Sequence, residues 1–270
     1  MNIQRESRCV EALRALSTNV PADWSIELQA SCGSTNSELL GRSDPSPVAL
    51  FALEQTAGRG RRGRVWSARP GDSLTFSLAF DFPCRADALA GLSLAVGVAL
   101  ADALVAQGVD GIALKWPNDL MRHGGKLGGI LIELASASGG GTRAVIGVGL
   151  NLAPPADGDY ASRPVALYAD TPGQDEWLRL AAALLDVLAD ALPLFADQGF
   201  AAFGERWNRY NLHAGRDVVV LDEPLARQAS LRGRCVGADR DGALLLDCDG
   251  RIERVLAGDV SLRADPAGER

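Results

Sequence analysis

The sequence predicts an α+β fold: a mixed or antiparallel sheet flanked by helices over residues 1–213, followed by a small C-terminal β-barrel over residues 214–270. Two observations support this prediction. Up to residue 211, the chain interleaves helix-like stretches with strand-like runs. From residue 216, it changes to short β-type runs broken by Asp-Gly pairs, which are typical of hairpin turns. A chain of 270 residues is long enough for a main domain with a small appendage.

The main domain is predicted from hydrophobic periodicity and from turn residues. A run of alternating or continuous apolar residues indicates a strand, and a longer run with helical spacing indicates a helix. In chain order, we expect an amphipathic helix (7–16), a strand (24–30), a helix capped by Ser34 or Thr35 that reaches Leu40, a buried strand (48–53), a loop (58–64), a strand (73–82), a long helix (87–107), strands at 111–115, 126–134 and 143–152, a helix (176–195) interrupted near Pro193, and a helix (200–211).

The C-terminal segment is predicted to contain only strands. About fifty residues divided among four or five short strands cannot enclose a large core, so we expect a small barrel packed against the main domain. The predicted strands are 217–221, 232–238, 243–247 and 251–256, with turns at Asp241-Gly242 and Asp249-Gly250.

Composition excludes several classes of protein. The chain is 47% hydrophobic and 23% charged, and no uninterrupted apolar run approaches the ~20 residues of a membrane helix. The N-terminus has no signal-like apolar core, so a soluble cytoplasmic protein without membrane partners is expected. The net charge of −7 opposes general nucleic-acid binding. Five scattered cysteines and two histidines lack the spacing of a disulfide framework or a zinc site, so no metal ligands are predicted.

A basic loop stands out against this acidic background: Gly58-Arg59-Gly60-Arg61-Arg62-Gly63-Arg64-Val65-Trp66. Glycines let backbone amides approach an anion, and arginines offer paired donors to phosphate or carboxylate. The loop is therefore typical of a segment that closes over a polyanion when the ligand arrives. A solvated basic loop or an RNA-binding segment is the alternative. The loop matches neither the P-loop pattern nor the dinucleotide-binding pattern.

Lysine usage gives a second clue. Of 27 basic residues, only Lys115 and Lys126 are lysines, and they lie within twelve positions of each other. The lysine ammonium is a compact, flexible point charge, so it suits sites that the planar guanidinium of arginine does not fit. Both lysines belong to polar, glycine-containing strings that include Asn118 and Asp119. We therefore expect them in one site, with a surface lysine in a β-turn as the alternative for Lys126.

Five motifs follow one another along the chain: Gly33-Ser34-Thr35-Asn36, Gln55 to Arg64, Lys115-Trp116-Pro117-Asn118-Asp119, Gly125 to Leu131, and Gly147-Val148-Gly149-Leu150-Asn151. Together they resemble the motifs of the bacterial biotin–protein ligases, and the resemblance covers nearly the whole chain. It implies a class II synthetase-like catalytic domain with an SH3-like C-terminal barrel. It also implies an enzyme that activates biotin with ATP to biotinyl-5'-AMP and transfers biotin to a lysine of a carboxylase carrier domain.

The resemblance also implies roles for individual residues. Lys126, Arg61 and Asp119 are the expected catalytic residues, with Lys126 placed between the biotin carboxylate and the α-phosphate of ATP. For three other residues a plainer interpretation stays open: Ser34 or Thr35 as a helix cap, and Trp66 as a core residue. The expected biotin-binding residues are Ser34, Thr35, Asn36, Gln55, Gly58, Arg59, Gly60, Arg61, Lys126 and Gly129; the expected ATP-binding residues are Arg61, Arg64, Trp66, Lys115, Asn118, Lys126 and Asn151.

Partners follow from the same resemblance. The expected partner is a biotin carboxyl carrier domain, Mg2+ is expected to arrive with ATP, and a homodimer is possible. Only 33 residues precede Ser34, which is too short for a winged helix, so we expect a monofunctional form that does not bind DNA. Asn211 stands where the family often has an acidic residue four positions after a tryptophan, here Trp207. A lipoate ligase or octanoyl transferase is the enzymatic alternative, but it should show a histidine near the glycine-rich segment.

Overall fold

The computed structural model describes residues 3–43, 47–67, 69–137, 140–155, 162–222, 229–257 and 260–265. It contains a seven-stranded mixed sheet with helices packed against it and a separate five-stranded antiparallel sheet. The predicted α+β fold class is confirmed.

The helices and strands of the first part of the chain follow the predicted order, with two differences. The strand Asp119–Arg122 had not been predicted, and the last helix begins at Gly204 rather than at residue 200. Three short 3-10 turns, at Arg61–Gly63, Ala86–Leu89 and Gly199–Ala202, separate some of them. The elements are α1 (Ile3–Leu16), β1 (Ser25–Cys32), α2 (Thr35–Leu40), β2 (Val48–Gln55), β3 (Ser73–Phe82), α3 (Leu92–Ala106), β4 (Ile112–Lys115), β5 (Asp119–Arg122), β6 (Gly125–Ser136), β7 (Thr142–Asn151), α4 (Gln174–Gln198) and α5 (Gly204–Tyr210).

The large sheet has the strand order β1-β2-β3-β7-β6-β5-β4. Only β1 and β2 pair in parallel, and the other neighbours are antiparallel. The hairpin of β6 and β7 was predicted, and it lies next to β3.

The two faces of the sheet differ in side-chain size. On one face Phe51, Phe76, Val148 and Ile130 are paired across four neighbouring strands. The rings of Phe51 and Phe76 stack with centroids 4.9 Å apart, and Trp177 of α4 meets Phe51 edge-on. Burial of these side chains beneath α3 and α4 forms the core, because each large apolar side chain stabilises the fold by about 1.5–3 kcal/mol.

Helix α3 begins later than predicted. The chain first makes the 3-10 turn at Ala86–Leu89 and then reaches Gly91, whose φ of 81° lies in the left-handed region. A Cβ at Gly91 would lie 2.6 Å from Cβ of Phe200. The tight contact and the left-handed backbone both require glycine here, and they interrupt the helix that periodicity alone made continuous.

Helix α4 is not interrupted at Pro193, and the prediction of a break was wrong. Pro193 lies inside a helix of 25 residues. Pro193 itself is exposed to solvent, and the hydrogen bond that it removes is the one to the carbonyl of Ala189. Packing of the buried face outweighs the cost of the proline, which is about 3 kcal/mol.

The segment Ala86–Ala106 has a mean hydropathy of 2.1 and is long and apolar enough to cross a membrane by composition alone. About 67% of it is buried inside the protein. A Cβ at Gly97 in this helix would meet side chains of Leu114 and Ile130 at 3.4–3.6 Å. This close packing is that of the core helix of a folded domain.

The C-terminal sheet consists of strands in the order β11-β10-β9-β8-β12. It packs against the main domain, where Nε1 of Trp116 donates a hydrogen bond of 3.2 Å to the carbonyl of Gly242. The boundary at residue 213 stays a prediction. The last strand had not been predicted, although the turn dipeptide Gly258-Asp259 precedes it in the sequence. The strands are β8 (Asp217–Asp222), β9 (Ala229–Ala238), β10 (Leu244–Cys248), β11 (Arg251–Val255) and β12 (Val260–Ala264).

Candidate active site

The face of the large sheet opposite α3 has glycines at its centre. Gly149 on β7 is the cross-strand partner of Gly129 on β6, and Gly147 lies two residues earlier on the same face. We call these three residues the glycine floor. Because Gly147 and Gly149 lack a Cβ, the side chains of Asn36 and Trp66 can lie against the sheet, and Lys126 lies beside Gly129 at ordinary contact distance. A Cβ would lie 2.3 Å from Asn36 Oδ1 at Gly147, 2.4 Å from Trp66 Cε2 at Gly149 and 3.5 Å from Lys126 Nζ at Gly129.

A neutral polar wall stands at one end of the glycine floor. Thr35 and Asn36 begin helix α2 and are each 3% exposed. The side-chain oxygen of Gln55, at the end of β2, accepts a hydrogen bond of 2.8 Å from the backbone N–H of Thr35. The Thr35 hydroxyl lies 2.6 Å from the hydroxyl of Ser77, which donates to Oδ1 of Asn36 at 2.6 Å.

Ser34 precedes this helix and is also buried. It is the N-cap residue of the helix, as predicted, but its side chain makes no capping hydrogen bond. Ser77 had not been predicted. The signal was a polar residue flanked by Phe76 and Leu78 within a predicted strand, since a buried polar residue needs a hydrogen-bond partner.

The arginine–glycine loop has defined local structure. Arg59 forms an antiparallel bridge with Val65, and the N–H of Gly60 donates to the carbonyl of Arg64 at 2.7 Å. The turn is closed by Arg62, whose φ is 62°. The predicted irregular loop is therefore a small hairpin, and its dependence on a bound ligand stays a prediction.

The loop is attached to the sheet through three side chains. Arg59 donates to Oε2 of Glu133 at 2.8 Å, and Arg61 donates to Oδ1 of Asn118 at 3.1 Å. Trp66 lies on the glycine floor and is only partly buried, so it is not a core tryptophan. A Cβ at Gly58 would lie 2.4 Å from the carbonyl oxygen of Trp66, which explains the glycine there.

Lys126 lies at the other end of the glycine floor. Its ammonium is 2.5 Å from Oδ1 of Asp119 on the neighbouring strand, and the two side chains are 29% and 18% exposed. The backbone of Lys126 bonds to Arg163 and to Val165. Lys126 thus belongs to strand β6 with a half-buried ion pair, and the alternative of a surface lysine in a β-turn is wrong.

Lys115 lies on β4 and is the cross-strand partner of Asp119 on β5. Burial lowers the pKa of the Lys115 ammonium, and the Asp119 carboxylate opposes this effect. Further positive groups, including Lys126 and Arg64, also lower the pKa. Lysine and arginine side chains from three parts of the chain therefore concentrate positive charge beside one carboxylate.

Asn118 and Asn151 are anchored by backbone contacts. Nδ2 of Asn118 donates to the carbonyl of Ile130 at 2.8 Å, which leaves Oδ1 for Arg61. Nδ2 of Asn151 donates to the carbonyl of Val165 at 3.0 Å and lies 3.4 Å from that of Lys126. Asn151 thus fixes the backbone around Lys126 rather than extending toward the loop.

Comparisons with known proteins agree with this arrangement. The model of the biotin/lipoate A/B protein ligase family matches residues 29–151, and the model of the biotin protein ligase C-terminal domain matches residues 213–263. The Mycobacterium tuberculosis biotin–acetyl-CoA-carboxylase ligase is 35% identical over 257 residues, which covers 87% of this chain and 88% of that protein. The chain belongs to the biotin protein ligase family.

Two further relatives support the assignment. The bifunctional ligase/repressor BirA of Escherichia coli strain K12 is 36% identical over 234 residues, covering 86% of this chain and 72% of that protein. The biotin protein ligase from Aquifex aeolicus, solved in complex with biotin and ATP, matches with a TM-score of 0.73 and 26% identity. The match covers 89% of this chain and 99% of that chain.

This member of the biotin protein ligase family has the predicted site residues in two groups. The first group surrounds the neutral end of the glycine floor, and the second surrounds the charged end, with Trp66 between them. Among the described residues, no cluster of three His, Cys, Asp or Glu side chains could hold a metal ion. The first group contains Ser34, Thr35, Asn36 and Gln55, and the second contains Arg61, Lys115, Asn118, Asp119 and Lys126.

The position where this ligase departs from the family pattern has a structural role. The side chain of Asn211 accepts from the N–H of His213 and lies 3.3 Å from Sγ of Cys235 in the C-terminal sheet. Trp207 is 1% exposed in the same junction. The expectation that both residues join the two parts of the chain agrees with these contacts.

Proposed function

We propose that this chain is an ATP-dependent biotin–acetyl-CoA-carboxylase ligase. It joins biotin to AMP and then transfers the biotinyl group to a lysine of a carrier domain. One observation supports this function most directly: the glycine floor has a neutral hydrogen-bonding wall at one end and the Lys126–Asp119 ion pair at the other. Biotin has the same polarity, with an uncharged ureido ring at one end and a carboxylate at the other.

The neutral wall suits the ureido ring. Hydroxyl and amide groups of Ser34, Thr35 and Gln55 can bond to an uncharged donor–acceptor ring without the desolvation cost of a charge. Trp66, which lies on the glycine floor, offers an apolar surface for the bicyclic ring. The family resemblance adds Arg59 and its neighbouring glycines as the segment that covers the bound ring.

The charged end suits adenylate formation. An oxygen of the biotin carboxylate attacks the α-phosphorus of ATP, a P–O bond forms, and the bond to the leaving pyrophosphate breaks. Two anions repel as they approach, and the Lys126 ammonium between them lowers that repulsion. Asp119 holds the ammonium in place, and Arg61 adds a second cation near the phosphates.

ATP is proposed to lie along the second group of residues. Lys115 and Arg64 bring positive charge toward the phosphates, and Asn118, Asn151 and Trp66 border the same region. Mg2+ is proposed to bind through the ATP phosphates and to neutralise part of their charge. This mode fits the donor set, because the carboxylates of Asp119 and Glu133 are already paired with Lys126 and Arg59.

Transfer completes the reaction. The neutral amine of the acceptor lysine attacks the carbonyl carbon of the mixed anhydride, an amide bond forms, and AMP leaves as the amine loses its proton. We propose that the carrier domain docks by strand pairing at an edge of the large sheet, where β1 and β4 are the end strands. A homodimer and the absence of DNA binding also remain proposals. The five cysteines are free thiols, which supports a reducing compartment such as the cytoplasm.

The test is intact-mass measurement of a carboxylase carrier domain after incubation with the chain, biotin, ATP and Mg2+. We expect the carrier to gain the mass of one biotinyl group. A carrier whose acceptor lysine is replaced by arginine should gain nothing, and Lys126→Ala should abolish the gain on the native carrier. The variant Arg209→Ala, which removes an exposed ion pair on α5, should retain the activity. A competent carrier that gains no mass with the native enzyme would refute the proposed function.

A further inference from the structure

A chain of hydrogen bonds runs behind the neutral wall. It begins at Glu133, passes through Asn36 and Ser77, and ends at Thr35. Ser77 is fully buried. It lies beneath the wall and faces Thr35 and Asn36, so it acts on a ligand only through them.

The orientation of the Asn36 amide is set by acceptors. Nδ2 of Asn36 is 2.8 Å from Oε2 of Glu133 and 3.2 Å from the carbonyl oxygen of Leu131. Glu133 is also paired with Arg59 at 2.8 Å, as expected for a carboxylate. A carboxylate and a carbonyl accept but cannot donate, so the NH2 group of Asn36 must face them. Its oxygen must therefore face Ser77.

The protons of the two hydroxyls are then fully assigned. The Ser77 hydroxyl must donate to Oδ1 of Asn36, because that oxygen has no proton to give. The contact of 2.6 Å between Ser77 and Thr35 still requires a proton, and only the Thr35 hydroxyl can supply it. No proton then remains for a hydrogen bond between the Thr35 hydroxyl and Oε1 of Gln55, which are 3.2 Å apart. Oε1 of Gln55 accepts from the backbone N–H of Thr35 instead.

We propose that Ser77 is a positioning residue that commits the Thr35 hydroxyl proton and so makes this hydroxyl a pure acceptor, which selects a ligand with a ring N–H. The inference rests on the proposed function, in which Thr35 contacts the ureido ring of biotin. A ring that presents an oxygen at this place would bring two acceptors together with no proton between them. Such an unmet contact in a buried pocket is strongly disfavoured.

The test compares biotin with its two cyclic carbamate isomers, in each of which one ureido N–H is replaced by a ring oxygen. Dissociation constants are measured for the full chain by calorimetry. For the native protein, the isomer whose oxygen faces Thr35 should bind about 100-fold more weakly than biotin. In Ser77→Ala, the Thr35 hydroxyl proton is free to turn toward the ring oxygen. The ratio of the dissociation constant of this isomer to that of biotin should therefore fall to about tenfold.

Two further variants separate this effect from damage to the fold. Asn36→Ala frees the same proton without changing Ser77 and should also reduce the ratio. Ser73→Ala removes another buried hydroxyl from β3 outside the chain of hydrogen bonds and should leave the ratio unchanged. Equal ratios in the native protein, Ser77→Ala and Asn36→Ala would overturn the inference. A native protein that binds no biotin and modifies no carrier would instead overturn the proposed function.

Discussion

The ammonium of Lys126 lies 2.5 Å from Oδ1 of Asp119, across an irregular point in the pairing of β5 and β6. The register shifts between Leu120 and Met121, so the two side chains approach each other at the end of the glycine floor. Asp119 is also the cross-strand partner of Lys115. One carboxylate therefore pairs with Lys126 and lies opposite Lys115, the other lysine of the chain.

We expect this pair to control adenylate formation. Lys126→Ala should lower the rate of pyrophosphate release about 100- to 1000-fold, because it removes the cation between two reacting anions. Asp119→Asn retains the Lys126 ammonium but removes the carboxylate that holds it in place. This variant should lower the rate of pyrophosphate release about tenfold to 100-fold. Both rates are measured by coupled detection of pyrophosphate with saturating biotin and ATP.

The double variant provides the control for this prediction. If Asp119 acts by holding Lys126, then adding Asp119→Asn to Lys126→Ala should change the rate little further. Fully additive losses would show that Asp119 contributes independently of the lysine.

The order of the elements and the two lysines were predictable from the sequence, because apolar periodicity and an unusual residue count are local signals. The ion pair between Lys126 and Asp119 could not be predicted in this way. Strand β5 is only four residues long, and its pairing with β6 depends on the hairpin that follows it. The position of Asp119 was therefore a consequence of tertiary pairing that no sequence period indicates.

The polar wall was predicted in part. Ser34, Thr35 and Gln55 belong to motifs, but Glu133 and Ser77 lie within strands and reach the site only through cross-strand register. Ser77 is opposite Gly147, and this pairing puts its hydroxyl beside Asn36. Period-two alternation shows that residues share a face, but it does not show which distant residues meet there.

The contact between Gly149 and Trp66 gives a second prediction. Gly149→Ala would put a methyl group 2.4 Å from the indole ring, so the ring and its loop must move off the sheet. We expect KM for biotin to rise at least about tenfold, with little loss of stability because the loop is at the surface. Steady-state kinetics and thermal unfolding measure the two effects.

Two controls belong to this experiment. Gly173→Ala adds a methyl group where nothing lies within 4 Å and should leave KM unchanged. In a Trp66→Ala background, Gly149→Ala should raise KM no further, since the clashing ring is gone. A large additional rise in that background would contradict the proposed steric cause.

Asp186 gives a prediction about stability. Its carboxylate is 9% exposed and accepts hydrogen bonds from the backbone N–H groups of Thr18, Asn19 and Val20. Asp186→Ala leaves these donors without partners and should lower the free energy of unfolding by about 2–4 kcal/mol in urea titrations. Catalysis at 25 °C should persist, because α4 packs on the face of the sheet away from the glycine floor.

Asp190, one turn later on α4, is the matched control. It accepts one exposed hydrogen bond from the side chain of Asn19. Asp190→Ala should cost less than about 1 kcal/mol. An equal loss in both variants would mean that the buried backbone contacts are not the source of the effect.

His213 gives a prediction about pH. It is 5% exposed, and within the described part of the chain neither ring nitrogen has a hydrogen-bond partner. Burial, reinforced by the positive charges of Lys115 and Arg216, lowers the pKa of His213 from 6.5 to about 4. The unfolded chain therefore binds one more proton than the folded chain between these two pH values, so this residue destabilises the fold as the pH falls from 6.5 toward 4.

Between pH 7 and pH 5, His213 should reduce the free energy of unfolding by about 2 kcal/mol. His213→Phe retains a ring of similar size that needs no hydrogen-bond partner, and should remove this part of the pH dependence. The measurement is urea unfolding of both proteins at pH 5, 6 and 7, so that titration of the carboxylates cancels in the difference. If the two stability curves run parallel over this range, the imidazole is already matched by groups around it and its pKa is not depressed. If the native protein gains about 2 kcal/mol relative to His213→Phe as the pH rises from 5 to 7, the buried neutral histidine at the junction with the C-terminal sheet is the cause.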